Sequence, residues 1–215
     1  MIAELLRDNN FIELEKEYKF LSRARGETLD QADHVVFDIE TTGLEPTVNE
    51  ITEIGAIKIK GSEVQDLFSQ LIKPLAPISA EITRLTGIDD DMVKDAPSIK
   101  EVLPKFMEFI GNSALIAHNA EFDVSFIKEQ IKRNKLAELK NSVICTVKLA
   151  RYLLPQLPNH KLHTVAAHFG LKAENRHRAM GDAELTYQVW SKFIPLLNEK
   201  KITSQRELDL LLSRL

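Results

Sequence analysis

Two carboxyl groups separated by one apolar residue, Asp38 and Glu40, follow the run Val35-Val36-Phe37. β-Branched and aromatic residues at that density read as a strand. Side chains two apart in a strand point to one face, so the two acids project together beside residues that belong in a core. Carboxylates crowded into a partly buried place repel one another and stay ionised only beside a cation. Ligation by oxygen alone favours hard ions such as Mg²⁺ or Mn²⁺. A solvated strand end would carry the same pair, so this spacing gains meaning only with further residues.

Three other stretches supply them. Thr41-Thr42-Gly43-Leu44 comes next, with hydroxyls able to meet a sugar or phosphate, a glycine for a tight turn and a close approach, and a leucine to press on a base. His118-Asn119-Ala120-Glu121-Phe122-Asp123 sits where a strand ends and a helix begins, which puts Asp123 in a first turn that favours a carboxylate. Phe122 there reads either as core or as a stacking surface for a base. His177-Arg178-Ala179-Met180-Gly181-Asp182 repeats that placement for Asp182, with His177 in a polar loop where a histidine titrates near neutrality and can take a proton from water.

An acidic pair on a first strand, then Asn-Ala-x-Phe-Asp, then His-x4-Asp on a last helix resembles the DnaQ-like exonucleases, the DEDDh group. The likeness extends through Glu53-Ile54-Gly55-Ala56, through Ile78 to Asp90 with Leu85-Thr86-Gly87-Ile88, and through Cys145-Thr146-Val147-Lys148-Leu149-Ala150-Arg151. It covers roughly His34 to Leu197 and lies nearest the epsilon, proofreading type of bacterial DNA polymerase III and the exonuclease domain fused in Gram-positive replicative polymerases. The resemblance implies a 3'→5' exonuclease using two divalent cations, Mg²⁺ or Mn²⁺. Asp38 would bridge both ions, Glu40 and Asp182 would complete the site for the one holding the attacking water, and Asp123 would support the second. His177 would be the general base. Thr41, Thr42, Gly43, Leu44, His118, Asn119 and Phe122 would form the substrate-binding set around the terminal nucleotide, and the product would be a nucleoside 5'-monophosphate.

These residues need a scaffold. Strands are expected at Val35–Phe37, Ile54–Ile59, Asp66–Ile72, Ala114–Ala117 and Val143–Ile144, with Gly61-Ser62 turning the second into the third. Helices are expected after Ser79 up to Gly87, after Ser98, over Phe122–Ile131, Val147–Leu154, Leu162–Phe169 and Ala179–Leu197. Three strands followed by alternating helices and strands make an α/β layer fold with a mixed sheet. The resemblance sharpens this to a ribonuclease H-like mixed five-stranded sheet flanked by helices, with extra N- and C-terminal helices. Residues 1–32 read as an N-terminal helical extension, with a capping box at Asn10 and Glu13 and a stop at Gly26, 33–198 as the exonuclease domain, and 199–215 as a C-terminal helix. That last helix opens on a capping box, Ser204 and Glu207, and carries the stripe Leu208, Leu211, Leu212 and Leu215. The stripe packs on the core or docks a partner, so a protein partner at the terminal helices stays open.

The bulk numbers narrow the classes. At 215 residues the chain holds one domain with a sizeable core plus extra at the ends. The single Cys145 excludes an internal disulfide and, in the apolar Val143-Ile144-Cys145, reads as core. No apolar run suits a signal peptide or a membrane span, so a soluble, cytoplasmic protein with no membrane partner is expected. The net charge of −4 is unusual for a binder of phosphate backbones, although carboxylates spent on cations and local basic residues such as Lys148, Arg151, Lys161, Arg176 and Arg178 soften the conflict. The expected partner is the 3' end of a single-stranded nucleic acid, with DNA favoured. An RNA-trimming exonuclease on the same site is the alternative, and a non-catalytic adaptor is a third reading.

Overall fold

A computed structural model describes residues 28–172 and 178–215 of the chain. The expected helix around Phe11 to Leu21, its capping box and Gly26 lie outside the described residues. Five strands, β1 (Asp33–Thr41), β2 (Ile51–Lys60), β3 (Glu63–Leu71), β4 (Ala114–Ala117) and β5 (Val143–Cys145), form one sheet in the order β3-β2-β1-β4-β5. β1 is central. It pairs antiparallel with β2 and parallel with β4, while β3 and β5 are the edges. The mixed sheet is as expected, and the first three strands run longer than the apolar runs alone suggested. The tight turn at Gly61 lets β2 and β3 pair to their ends, carrying polar residues such as Glu63 into the ladder.

The helices follow their punctuation. α1 (Ala80–Thr86) is capped by the Ser79 hydroxyl and stopped by Gly87 in the left-handed region, and α2 (Asp90–Val93) is capped by Asp89. α3 (Ile99–Ile110) opens at Ser98, whose N–H and hydroxyl both donate to the Glu101 carboxylate. α4 (Ala120–Arg133), α5 (Thr146–Leu153), α6 (Leu162–His168), α7 (Ala179–Glu199) and α8 (Gln205–Leu212) complete the order. α8 has the expected capping box of Ser204 and Glu207. Its Leu208 is buried, and Leu211 and Leu212 pack on the core, while Leu215 stays 46% exposed.

The sheet divides two cores. On β1, Val35, Phe37 and Ile39 face the layer of α3 and α4, whereas Val36 faces the layer of α5 to α8. Alternation therefore puts Asp38 and Glu40 on the α7 side. Cys145 is only partly buried, against the expectation of a core position, because β5 is an edge strand with no neighbour beyond it. The described chain closes on itself at the far end of β1. The Leu29 N–H donates to the Thr203 carbonyl at 2.9 Å, Thr28 bridges Ser204, and buried His34 lies against Gln205 and the Trp190 ring. Among the described residues no helix is long and apolar enough to cross a membrane.

α7 rests on β2 with unusual closeness. A Cβ on Gly55 would lie 2.3 Å from the Met180 backbone nitrogen and 2.4 Å from the Ala179 carbonyl carbon. Backbone cannot yield as a flexible side chain can, so Gly55→Ala must push the start of α7 off the sheet. The expected cost is about 1–3 kcal/mol, a lowering of the thermal midpoint by roughly 2–4 °C per kcal/mol. A calorimetric scan beside Ala56→Gly, on the opposite face of the same strand, checks that the loss comes from this contact.

Candidate active site

β1 outruns its parallel neighbour. Its pairing with β4 ends at Val36↔Ile116, while its pairing with β2 continues through Asp38↔Gly55 and Glu40↔Glu53 to a bulge at Glu40/Thr41. The backbone beyond β4 would be left without partners. Asp123 fills that gap from the first turn of α4, its Oδ1 accepting the Ile39 N–H at 3.2 Å. The link from β4 to α4 turns on Asn119, whose left-handed backbone (φ 66°, ψ 44°) is one that asparagine tolerates better than most residues.

The remaining carboxylate comes from α7. Asp38, Glu40 and Asp182 place one oxygen each within 4.8 Å of one another. The helix that brings Asp182 is tied to β2 by a residue to which composition and spacing gave no role. Glu53, buried in an otherwise apolar strand, accepts from Arg178 Nε at 3.0 Å and Nη2 at 2.7 Å, and from the Ala179 N–H at 3.0 Å. The guanidinium is thus engaged by Glu53, and a buried charge obtains the partners it requires. A lone glutamate between Ile51-Thr52 and Ile54-Gly55-Ala56 was the available signal. His177, immediately before Arg178, lies outside the described residues.

The electrostatics of the cluster are those of acids forced together. Burial, then Asp123, Glu40, Asp182 and Glu53, raise the Asp38 pKa well above the usual carboxyl range. Burial, then Asp182, Glu53 and Asp123, push Glu40 up to about 8, with Arg178 opposing. Burial pushes Asp123 up to about 8, against its own N–H and that of Ile39. An all-oxygen donor set whose members resist ionisation for want of positive charge fits a hard divalent cation.

The expected substrate side divides. Leu44, 83% exposed, and exposed Asn119 are free to meet a ligand, and Phe122 is half-buried against Phe126. The Thr41 hydroxyl donates to the Gly43 carbonyl at 2.6 Å, and the Thr42 hydroxyl accepts from the Glu50 N–H at 2.9 Å, so both hold the loop. A Cβ on Gly43 would lie 2.6 Å from the Asn49 side chain, which would have to shift to admit another residue there. His118 is tied to its own fold through both ring nitrogens. Its Nε2 donates to the His160 carbonyl at 3.0 Å, its Nδ1 lies 2.9 Å from the Thr146 hydroxyl, and burial lowers its pKa to about 4. A neutral ring with both nitrogens engaged braces the start of α4 and α5.

This is the site of a phosphodiester-cutting enzyme, and residues 35–190 match the Exonuclease family (RNase_T). The chain belongs to that family. It is 49% identical over 179 residues to a PolC-type DNA polymerase III of Caldanaerobacter subterraneus subsp. tengcongensis, covering 83% of this chain and 13% of that protein. It is 52% identical over 157 residues to the PolC-type DNA polymerase III of Clostridium perfringens, covering 73% of this chain and 11% of that protein. The chain thus spans little more than a tenth of the length of these relatives. Among solved structures it is similar to exonuclease X in complex with 5' overhanging duplex DNA, with 28% identity, a TM-score of 0.64, and coverage of 82% of this chain and 98% of that one. The fold is also shared with E. coli exonuclease I in complex with a dT13 oligonucleotide, at 18% identity and a TM-score of 0.70, covering 79% of this chain and 42% of that one.

Two measurements probe this geometry. Between their ordinary values of 3.8 and 4.5 and the raised values near 8, the folded carboxyls keep protons that the unfolded chain has lost. Metal-free stability therefore falls as pH rises toward about 8. His118 acts in the opposite sense, but only below its ordinary 6.5. In EDTA the thermal midpoint should fall from pH 6.5 to 8, and either saturating Mg²⁺ or Asp38→Asn should flatten the slope. Glu53→Ala leaves Arg178 and the Ala179 N–H without their partner. It should cost about 3 kcal/mol of stability and, by displacing Asp182, about 10²-fold in turnover, with Glu53→Gln in between. Single-turnover rates beside melting curves test this, and full activity in the alanine variant would remove Glu53 from the account.

Proposed function

We propose that the chain hydrolyses the terminal phosphodiester at the 3' end of single-stranded or frayed DNA and releases nucleoside 5'-monophosphates, as a proofreading or repair exonuclease in the cytoplasm. The observation that carries this reading is the cluster of Asp38, Glu40 and Asp182, three crowded acids that a cation would stabilise. Asp38, Glu40 and Asp182, with Asp123 beside them, would hold two ions, Mg²⁺ or Mn²⁺. Bound there, the ions would supply charge neutralisation at the phosphate and a more acidic water.

The side chains do the rest. Leu44 presses on the terminal base and Phe122 borders it, which orients the last phosphate toward the carboxylates. Asn119 meets the strand where it leaves the site. His177 takes the proton from the attacking water, the new P–O bond forms as the bond to the 3' oxygen breaks, and that oxygen is protonated from solvent. DNA is favoured because the relatives at about half identity are named as DNA polymerases and the exonuclease X structure is a DNA complex.

Matched 5'-labelled single-stranded DNA and RNA, incubated with Mg²⁺, should separate the readings. Shortening of DNA from the 3' end, absent in Asp38→Ala, is the expected result. Shortening mainly of RNA would move the substrate to RNA, and no cleavage with Mg²⁺ or Mn²⁺ would overturn the enzyme reading. His177→Ala should slow the chemical step about 10²–10⁴-fold while Mg²⁺ affinity is kept. Loss of metal binding in that variant would contradict its role as base.

A further inference from the structure

α4 and α5 both start at the end of the sheet that carries the acids and run back from it on either side of the edge strand β5. A groove of about 430 Å³ lies there. Asn119 and Ala120, one turn before Asp123, line it together with Val143 and Cys145 of β5 and Leu212 of α8. From α4 it takes the face of Val124 and Lys128, and from α5 the face of Lys148 and Arg151. Those spacings, four along α4 and three along α5, put each pair on one stripe.

The cations are exposed, and among the described residues none of these three pairs with a carboxylate. Glu121 is the only acid lining the groove. Lys128 also lines the adjoining cleft of about 530 Å³, where Lys132 and Lys135 continue the positive charge and Glu138 alone opposes it. Helical rise places Lys132 roughly 13 Å beyond Asp123 along α4. In a chain of net charge −4, unpaired positive charge is thus gathered along one path that begins at the site.

We infer that this path holds the phosphate backbone of the single strand immediately 5' of the nucleotide being removed, with Arg151, Lys148 and Lys128 on the nearer phosphates and Lys132 and Lys135 further out. This rests on the exonuclease reading of the site. Val124, Val147 and Leu212 give the groove apolar walls against which sugars or bases can lie. The path supplies grip without sequence preference and makes binding grow with strand length.

The test compares wild type with Lys128→Gln/Lys148→Gln/Arg151→Gln on a dinucleotide and on a long single-stranded oligodeoxynucleotide. The long strand should show a KM raised about tenfold with kcat within about twofold, and the dinucleotide should show neither change. Fluorescence anisotropy of the labelled long strand in EDTA should show a salt dependence shallower by about 2 in the log–log slope, at about 0.7 per cation removed. Adding Lys132→Gln/Lys135→Gln should weaken the long strand further and still spare the dinucleotide. Equal losses on both substrates, or an unchanged salt slope, would overturn the path and assign the cations to an acidic protein surface. If wild type cuts neither substrate, the reading of the site fails, while the anisotropy slope still decides the path.

Discussion

Carboxylates that repel one another have been folded into a place where water screens them poorly, and the architecture around them follows from holding that arrangement. Asp38 and Glu40 cannot separate because they alternate on one face of a strand that β2 holds along one side and the Asp123 carboxylate holds at Ile39 on the other. Asp123 cannot retreat because it is the partner of the Ile39 N–H. Asp182 cannot swing away because its helix is seated on Gly55 and tied through Arg178 and Ala179 to Glu53. Each restraint is a backbone contact or a hydrogen bond to backbone or a buried charge, which are the contacts that give least. A site built this way is strained without a cation and satisfied with one, so metal affinity is stored in the fold before the metal arrives.

The same four acids also explain the charge of the chain. Asp38, Glu40, Asp123 and Asp182 account for a formal charge equal to the whole net −4, so the remainder of the molecule is balanced. Acidity in the sequence therefore marks the site rather than a surface hostile to nucleic acid. The positive charge that a phosphate backbone would meet lies instead along the helices that leave the site.

Much of this was legible from residues alone, and the exceptions share a cause. Strand alternation put Asp38 and Glu40 on one face, and the capping serines at 79, 98 and 204 marked helix starts that the fold keeps. Those signals are local. The parts that escaped depend on partners far along the chain. Glu53 looked like one residue of an apolar strand until Arg178, 125 positions away, supplied its partner. The partners of the two His118 nitrogens, Thr146 and His160, likewise lie 28 and 42 positions away. The nearness of Asn49 to Gly43 is set by the fold of the loop between them. Cys145 looked buried because its neighbours are apolar, and only the strand order reveals an edge.

The junction at the opposite end of β1 carries a different implication. Thr28 and Leu29 are stitched to Thr203 and Ser204, so the segment that leads into β1 and the one that leads into α8 share one seam, at the end of β1 away from the acids. A pull on either segment would load that seam before it reached the carboxylates. The chemistry is in that sense mechanically insulated from the far end of the sheet.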